Sequence, residues 1–228
     1  MNRPRSFREK RARSKNITPR DVVLIVCEGE KTEPNYINEI LNRLKPASAS
    51  IELIGLGVDP VTVVNKAVEA FNNKPHFDRV YCVFDRDEHV NYQQAIDRCK
   101  NIRRKNVDGS LVKFCHITSW PSFEYWLLLH FSRSDAPIVK SGGRTGAQNA
   151  EHDLKKYIAG YSKSSNNLLA HTESRIVQAA KDAHRFAMGS EENPHTRFYR
   201  LVAFLASISS HDDVAWRRAL HDLAIECE

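Results

Sequence analysis

Short apolar runs alternate with helix-like segments along the first half of the chain. Val, Ile, Leu, Phe and Cys dominate four runs that are typical of buried strands: 22–27, 51–56, 79–84 and 111–117. The segments between these runs favour helices, which we predict over 33–44, 60–71 and 91–104. Because the connections are short, this order predicts an α/β fold with a parallel sheet flanked by helices.

The strand pattern stops after residue 121. Segment 122–131 is strongly apolar and predicts a buried helix, whereas 132–147 is rich in Ser, Gly and Arg and predicts a mobile loop. Further helices are predicted over 148–159, 168–187, 195–208 and 212–225. We therefore predict three parts: a disordered tail over 1–20, an α/β core over 21–132 and a helical C-terminal portion over 133–228 packed on the core.

Three acidic residues follow predicted strands. Glu28 comes directly after the first strand, and Asp85 and Asp87 come after the third. The carboxyl ends of parallel strands share one edge of a sheet, so these carboxylates should meet there. Oxygen ligands of this kind suit Mg²⁺ or Mn²⁺. Asp85 and Asp87 should share one side of an extended turn, with Arg86 on the other; the alternative is a solvent-exposed acidic loop.

Two further acids lie near predicted helix starts. Glu124 falls in the first turn of the apolar segment 122–131, at the same edge of the sheet. It could be a metal ligand or a base, or it could complement the helix dipole, and a charge in so apolar a segment needs a partner. For Glu33 we favour helix capping over metal ligation. Lys163, in the helical half, is a candidate for neutralising a phosphate.

The basic character of the chain belongs to its first 20 residues. The whole chain has a formal net charge of +6, but residues 1–20 alone carry +7 and the remainder −1. This tail, which includes Arg11 and Arg13, has few apolar residues and should be disordered alone. It could be a phosphate-binding arm whose affinity falls steeply with salt, or a solvated leader without a specific role.

Composition excludes several other classes. The five scattered cysteines form no CxxC pair, so they indicate neither a zinc site nor a disulfide framework, and a reducing cytoplasm fits them best. No apolar run is long enough to span a bilayer, and the N-terminus lacks the apolar region of a signal peptide. Neither a P-loop nor a GxGxxG nucleotide fingerprint is present.

Five segments, in order, carry a resemblance to a known family: LIVCEGEKTEPNY (24–36), VFDRDE (83–88), SWPSFEYWLLLHF (119–131), YSK (161–163) and NPHTRFYRLVAFL (193–205). With them the chain resembles the RloB-like family, whose members resemble the Toprim domains of overcoming-lysogenization-defect (OLD) nucleases, topoisomerases and primases. The resemblance implies a Toprim-type parallel sheet, with the invariant acid of that fold at Glu28 and its DxD pair at Asp85 and Asp87. Trp120 stands where the family typically has asparagine.

The resemblance also implies a setting, since RloB-like proteins are similar to partners of an ATPase encoded beside them in prokaryotic defence loci. Our leading hypothesis is a Mg²⁺-dependent or Mn²⁺-dependent cytoplasmic nuclease acting on DNA or RNA, with Glu28 as a base or metal ligand and a separate ATPase subunit. The alternative is a non-catalytic subunit that binds nucleic acid or the ATPase. A third hypothesis is phosphoryl transfer on a nucleotide or a small phosphate.

Overall fold

A computed structural model describes residues 21–46, 49–87, 89–187, 192–209 and 215–223. The predicted tail over 1–20, with Arg11 and Arg13, lies outside the described residues. Helices flank a mostly parallel central sheet, which confirms the predicted α/β class.

The sheet contains the four predicted strands and two short additions. The strands are β1 (Asp21–Cys27), β2 (Ala49–Gly55), β3 (Arg79–Asp85), β4 (Arg104–Lys105), β5 (Leu111–Trp120) and β6 (His195–Thr196). Their order is β2-β1-β3-β5-β4, with β6 also paired to β5. The β1–β2, β1–β3 and β3–β5 pairs are parallel, whereas β4 and β6 run antiparallel to β5. The ends of β1, β3 and β5 therefore share one carboxyl edge.

Helices occupy most of the connections. The α-helices are α1 (Thr32–Leu44), α2 (Pro60–Asn73), α3 (Tyr92–Asn101), α4 (Glu124–Leu128), α5 (Gly146–Leu154), α6 (Leu168–Thr172), α7 (Ile176–Ala187), α8 (Phe198–Ser207) and α9 (Ala215–Leu220). Short 3₁₀ turns follow α6 (Glu173–Arg175) and α9 (His221–Leu223). Asp59 caps α2 through its carboxylate, which accepts hydrogen bonds from the amides of Val61 and Thr62.

Both faces of the central strands β1 and β3 are buried, which explains why these strands are almost continuously apolar. Alternate β1 residues (Val22, Leu24, Val26) pack in a cluster with α2 and α3. The intervening residues (Val23, Ile25, Cys27) face the larger cluster, which α1, α4 and the helices after residue 145 build together. The C-terminal helices thus share a core with one face of the sheet.

Several predicted boundaries were wrong for identifiable reasons. The predicted helix over 168–187 is interrupted after Thr172, whose hydroxyl donates to the carbonyl of Leu168 and also meets the hydroxyl of Tyr36 in α1. Residues 195–196 form β6 rather than a helix start, because they pair with the end of β5. The helix predicted over 122–131 is shorter, and the one predicted over 148–159 begins earlier, where Thr145 and Gln148 form a capping box.

The cysteines are mainly packing residues. Cys27, Cys82 and Cys99 are free and buried. Cys115 is disulfide-bonded, which the sequence did not lead us to expect. No helix within the described ranges is long and apolar enough to cross a membrane.

Candidate active site

A cavity of about 420 Å³ opens at the carboxyl edge of the sheet, where β1, β3 and the turn after β5 come together. All four predicted catalytic acids line it: Glu28, Asp85, Asp87 and Glu124. Its lining also includes Glu33, His89 and Lys163. The fold therefore gathers side chains that are up to 135 positions apart in the sequence.

Glu28 and Asp85 are joined directly. Glu28 follows β1 and Asp85 ends the neighbouring strand β3. The backbone amide of Asp85 donates a hydrogen bond to Glu28 Oε2 at 2.8 Å, and Asp85 Oδ2 accepts one from the amide of Phe123 at 3.0 Å. The ends of β1 and β3 are thus tied to the turn that leads into α4.

Asp87 lies on the same side as Asp85 but is exposed. Its amide donates to the carbonyl of Pro121 at 3.1 Å, which fixes the turn after β3. Arg86 lies away from the cavity, with its guanidinium 3.6 Å from the ring centre of Trp120 and 5.4 Å from that of Tyr92. The alternation predicted for residues 85–87 is therefore present. Trp120 packs against Arg86.

Glu124 is buried, and both of its carboxylate oxygens accept hydrogen bonds. It begins α4, as predicted, and only 3% of it is exposed. Its Oε2 accepts a hydrogen bond from the Ser122 hydroxyl at 2.6 Å, and its Oε1 accepts one from the Tyr161 hydroxyl at 2.9 Å. Burial raises the pKa of Tyr161, and the charge of Glu124 raises it further, so the phenol keeps its proton and donates. These two hydroxyls are the partners that a charge in so apolar a segment needs.

Glu33 lies at the start of α1, as a capping residue would, but its carboxylate also forms part of the cavity wall. It is buried in the first turn of α1, and its carboxylate lies against Gly29, where a Cβ would approach Glu33 Oε2 to 2.0 Å. A Cβ at position 29 would therefore force that carboxylate to move. The spacing of Gly29 and Glu33 in EGEKTE was the available signal for this contact.

His89 is a cavity residue that the sequence reasoning missed. Its Nε2 lies 3.0 Å from Glu28 Oε1, and its side chain is 38% exposed. It directly follows the DRDE segment, and that proximity was the signal that could have revealed it. Ser122 and Tyr161 were missed as partners of Glu124, although both lie in segments that carry the family resemblance.

Lys163, the candidate phosphate-binding residue, brings positive charge to the cavity. Its carbonyl accepts a hydrogen bond from the Thr32 hydroxyl at 2.7 Å, which attaches the loop before α6 to the start of α1. Partial burial acts to lower the pKa of Lys163, but the carboxylates of Glu124, Asp85, Glu151 and Glu33 outweigh it and raise the pKa. The ammonium group therefore stays charged beside the acids.

Burial and mutual repulsion dominate the electrostatics of the cavity. Burial is the main cause that raises the pKa of Asp85, and the charges of Glu33, Glu28 and Glu124 add to it. Burial likewise raises the pKa of Glu33 to about 7, with further contributions from Glu124 and Glu28. The pKa of Glu28 is also raised by burial, although the amide of Asp85 and His89 oppose the shift.

The cavity offers the type of ligand atom that a hard divalent cation prefers. Glu28, Asp85 and Asp87 offer carboxylate oxygens around one cavity, as Mg²⁺ and Mn²⁺ prefer. Within the described ranges, however, no three Asp, Glu, His or Cys side chains are arranged to hold a metal ion as they stand. One oxygen of Glu28 is held by the amide of Asp85 and the other by His89. Ligation would require Glu28 to exchange its contact with His89 for the ion.

These features define an α/β protein with a carboxylate-lined cavity at the carboxyl edge of a parallel sheet. The chain belongs to the RloB-like protein family, whose profile matches residues 23–205. That range includes every cavity residue described above. Neither the curated proteins nor the solved structures gave a match.

Proposed function

We propose that this protein is a metal-dependent nuclease of Toprim type that hydrolyses phosphodiester bonds in DNA or RNA. The observation that supports this most strongly is the convergence of Glu28, Asp85 and Asp87 on one cavity at the carboxyl edge of the sheet. In open α/β sheets this edge is where ligands bind. Membership of the RloB-like family agrees with the proposal through the Toprim resemblance of that family.

Each cavity residue has a chemical task in this proposal. Glu28, Asp85 and Asp87 would hold Mg²⁺ or Mn²⁺, which activates water and stabilises charge on the phosphate when bound. Lys163, charged and facing the acids, binds a non-bridging phosphate oxygen. Glu124, fixed by Ser122 and Tyr161, keeps Lys163 protonated and in place. His89 is within reach to hold or release a proton at Glu28 Oε1.

We further propose that the nuclease is the cytoplasmic effector of a prokaryotic anti-phage or abortive-infection system and acts with a separate ATPase subunit. The support is the family resemblance, together with a sequence that contains no P-loop of its own. An ATPase partner would supply the activation step. The experiment below therefore includes conditions with and without the ATPase encoded beside the gene.

A cleavage assay tests the proposed function. Purified protein, alone and with the neighbouring ATPase, is incubated with labelled plasmid, oligonucleotide and tRNA in Mg²⁺, Mn²⁺ or EDTA. We expect cleavage that needs the metal and that is lost in Glu28→Gln and in Asp85→Asn while both variants remain folded. Cleavage that persists in EDTA, or that both purified variants retain, would overturn the proposal.

A second candidate function is a non-catalytic subunit that binds nucleic acid or the ATPase. The observation that favours it is the engagement of the cavity carboxylates, since both oxygens of Glu28 and both of Glu124 already have partners. It predicts stable co-purification with the ATPase and no metal-dependent cleavage in any condition of the same assay.

A further inference from the structure

The end of α3 and the adjoining strand β4 carry a dense group of positive charge. Five exposed basic residues lie there, and we call them the basic edge: Arg98, Lys100, Arg103, Arg104 and Lys105. None of the five forms an ion pair with any residue that the structure describes. The guanidinium of Arg103 donates to the carbonyls of Lys100 and Ile102, and that of Arg104 donates to the carbonyl of Arg103. Their charges are therefore not neutralised within the described part of the chain.

The hairpin that carries Arg104 and Lys105 is held firmly on the sheet. Asn106 is buried, and its side-chain amide donates to the carbonyl of Phe77 at 3.1 Å. The amide of Val107 donates to the carbonyl of Pro75 at 3.0 Å. The basic side chains thus project from a fixed backbone, which lowers the entropy cost of binding a partner.

Neighbouring acids do not cancel this charge. Asp78 accepts hydrogen bonds from the backbone amide of Val22 and from Asn106, and Asp108 accepts one from the amide of Ser110. These two carboxylates are therefore engaged with the protein's own amides. Asp97 on α3 accepts from Gln93, and Asp21 lies at the start of β1. The five bases of the basic edge outnumber these four acids. All five bases are exposed, and none forms an ion pair within the described part of the chain.

We propose that the basic edge binds the phosphate backbone of nucleic acid at a surface separate from the acidic cavity. A polyanion matches this surface because many unpaired bases and few apolar groups are present, as phosphate contacts require. An acidic protein would be the other occupant. It would have Val107 and Leu111, the exposed apolar side chains of the hairpin, as anchors.

The two surfaces lie at opposite ends of β5. Nine residue steps separate Leu111, beside β4, from Trp120, beside the cavity, and at about 3.3 Å per residue this is about 30 Å. A nucleic acid strand at about 3.4 Å per nucleotide needs roughly nine nucleotides to cover that distance. If the proposed nuclease function holds, on which this expectation rests, cleavage should improve as substrates become longer than roughly nine nucleotides.

Binding is tested without cleavage, in the full chain carrying Asp85→Asn. Fluorescence anisotropy with labelled single-stranded and duplex DNA and RNA of about 30 units gives Kd between about 50 and 200 mM salt. Arg103→Ala/Arg104→Ala removes two charges from the basic edge. Lys66→Ala/Lys181→Ala removes two exposed charges elsewhere and is the matched control. Thermal unfolding shows that both variants are folded.

We expect the basic-edge variant to raise Kd by about tenfold or more at the lower salt and to reduce the slope of log Kd against log salt by about two. The control should stay within about twofold. Equal Kd and slope in the two variants would overturn the proposal. So would unchanged nucleic acid binding combined with loss of ATPase co-purification, because the surface would then be a protein-docking site.

Failure of this inference and failure of the proposed function are distinguishable. If wild type never cleaves but the basic-edge variant loses binding, the nuclease proposal fails and the binding surface stands. If wild type cleaves in a metal-dependent manner and the variant binds normally, the nuclease stands and the binding surface fails.

Discussion

The two edges of the sheet carry charges of opposite sign and differ in how far they expose them to solvent. At the carboxyl edge, acids from distant parts of the chain meet in one cavity, where neighbouring charges raise the pKa of Asp85 and specific donors hold the buried Glu124. At the amino edge, five bases within eight positions are exposed, and each interacts with solvent largely independently of the others. Buried charges interact strongly because they are poorly screened, whereas exposed charges interact weakly and are screened by salt. Mutations at the carboxyl edge should therefore have large, non-additive effects on free energy, whereas mutations at the amino edge should have small, additive effects.

The largest expected effect is that of Asp85→Asn on activity. Asparagine can still accept the hydrogen bond from Phe123, so the fold should persist, but the ligand charge is lost. We expect cleavage to fall more than about a hundredfold, beyond the range for residues that merely support a metal ligand. Asp97→Asn, at an exposed site on α3, is the control and should leave the rate unchanged. If both variants cleave alike in a metal-titrated assay, Asp85 has no role in the chemistry.

The next effect is that of Gly29→Ala on stability. The new Cβ would lie 2.0 Å from Glu33 Oε2, so the carboxylate must leave its place in the cavity. We expect the free energy of unfolding in urea to fall by about 2 kcal/mol. The double variant Gly29→Ala/Glu33→Ala removes the clash and should recover part of that loss. A double variant that loses the sum of the two single effects would show that the contact is unimportant.

Tyr161→Phe should have a smaller effect at the same edge. The change removes the donor to Glu124 Oε1 and leaves a buried carboxylate oxygen with one hydrogen bond fewer. We expect a loss of about 1–2 kcal/mol in the free energy of unfolding. Tyr157→Phe is the matched control, because Tyr157 is exposed and its ring stacks on Phe131. Similar losses in the two variants would contradict the importance of the bond to Glu124.

The same contrast explains what the sequence could predict. Strands β1, β2, β3 and β5 were found because their apolar character is local, and the placement of Glu28 and Asp85 followed from parallel topology alone. The partners of these acids could not be found in this way. Tyr161 reaches Glu124 across 37 positions and His89 reaches Glu28 across 61, so both contacts depend on packing that no local pattern encodes.

The missed elements have a similar cause. Strands β4 and β6 contain two residues each, and they exist because both ends of β5 offer backbone partners to them. The break after Thr172 depends on a hydroxyl contact with Tyr36, 136 positions earlier. In contrast, the bases of the basic edge lie within eight consecutive positions of the sequence and could be listed from it. Their position opposite the acids required the strand register.

His116 tests the region between the two edges. It lies buried within β5, and its Nε2 accepts a hydrogen bond from Arg197 at 2.6 Å. Burial is the main cause that lowers its pKa from 6.5 to about 3, and Arg197 and then Lys100, of the basic edge, lower it further. Because the folded pKa lies below the unfolded one, the stability from this group is complete above pH 6.5 and is lost as the pH falls towards 3.

The expected loss between these limits is about 1.4 kcal/mol per pH unit. Urea unfolding of wild type and His116→Gln at about pH 7.5 and about pH 5.5 measures it, since glutamine can accept the bond from Arg197 but does not titrate. Cavity acids with raised pKa gain stability as the pH falls, and the difference between the two proteins removes their contribution. We expect the wild type to lose more stability than the variant on acidification. Equal losses would show that His116 is protonated as readily in the folded protein as in the unfolded chain, and that the positive charge of Lys100 and Arg197 does not reach it.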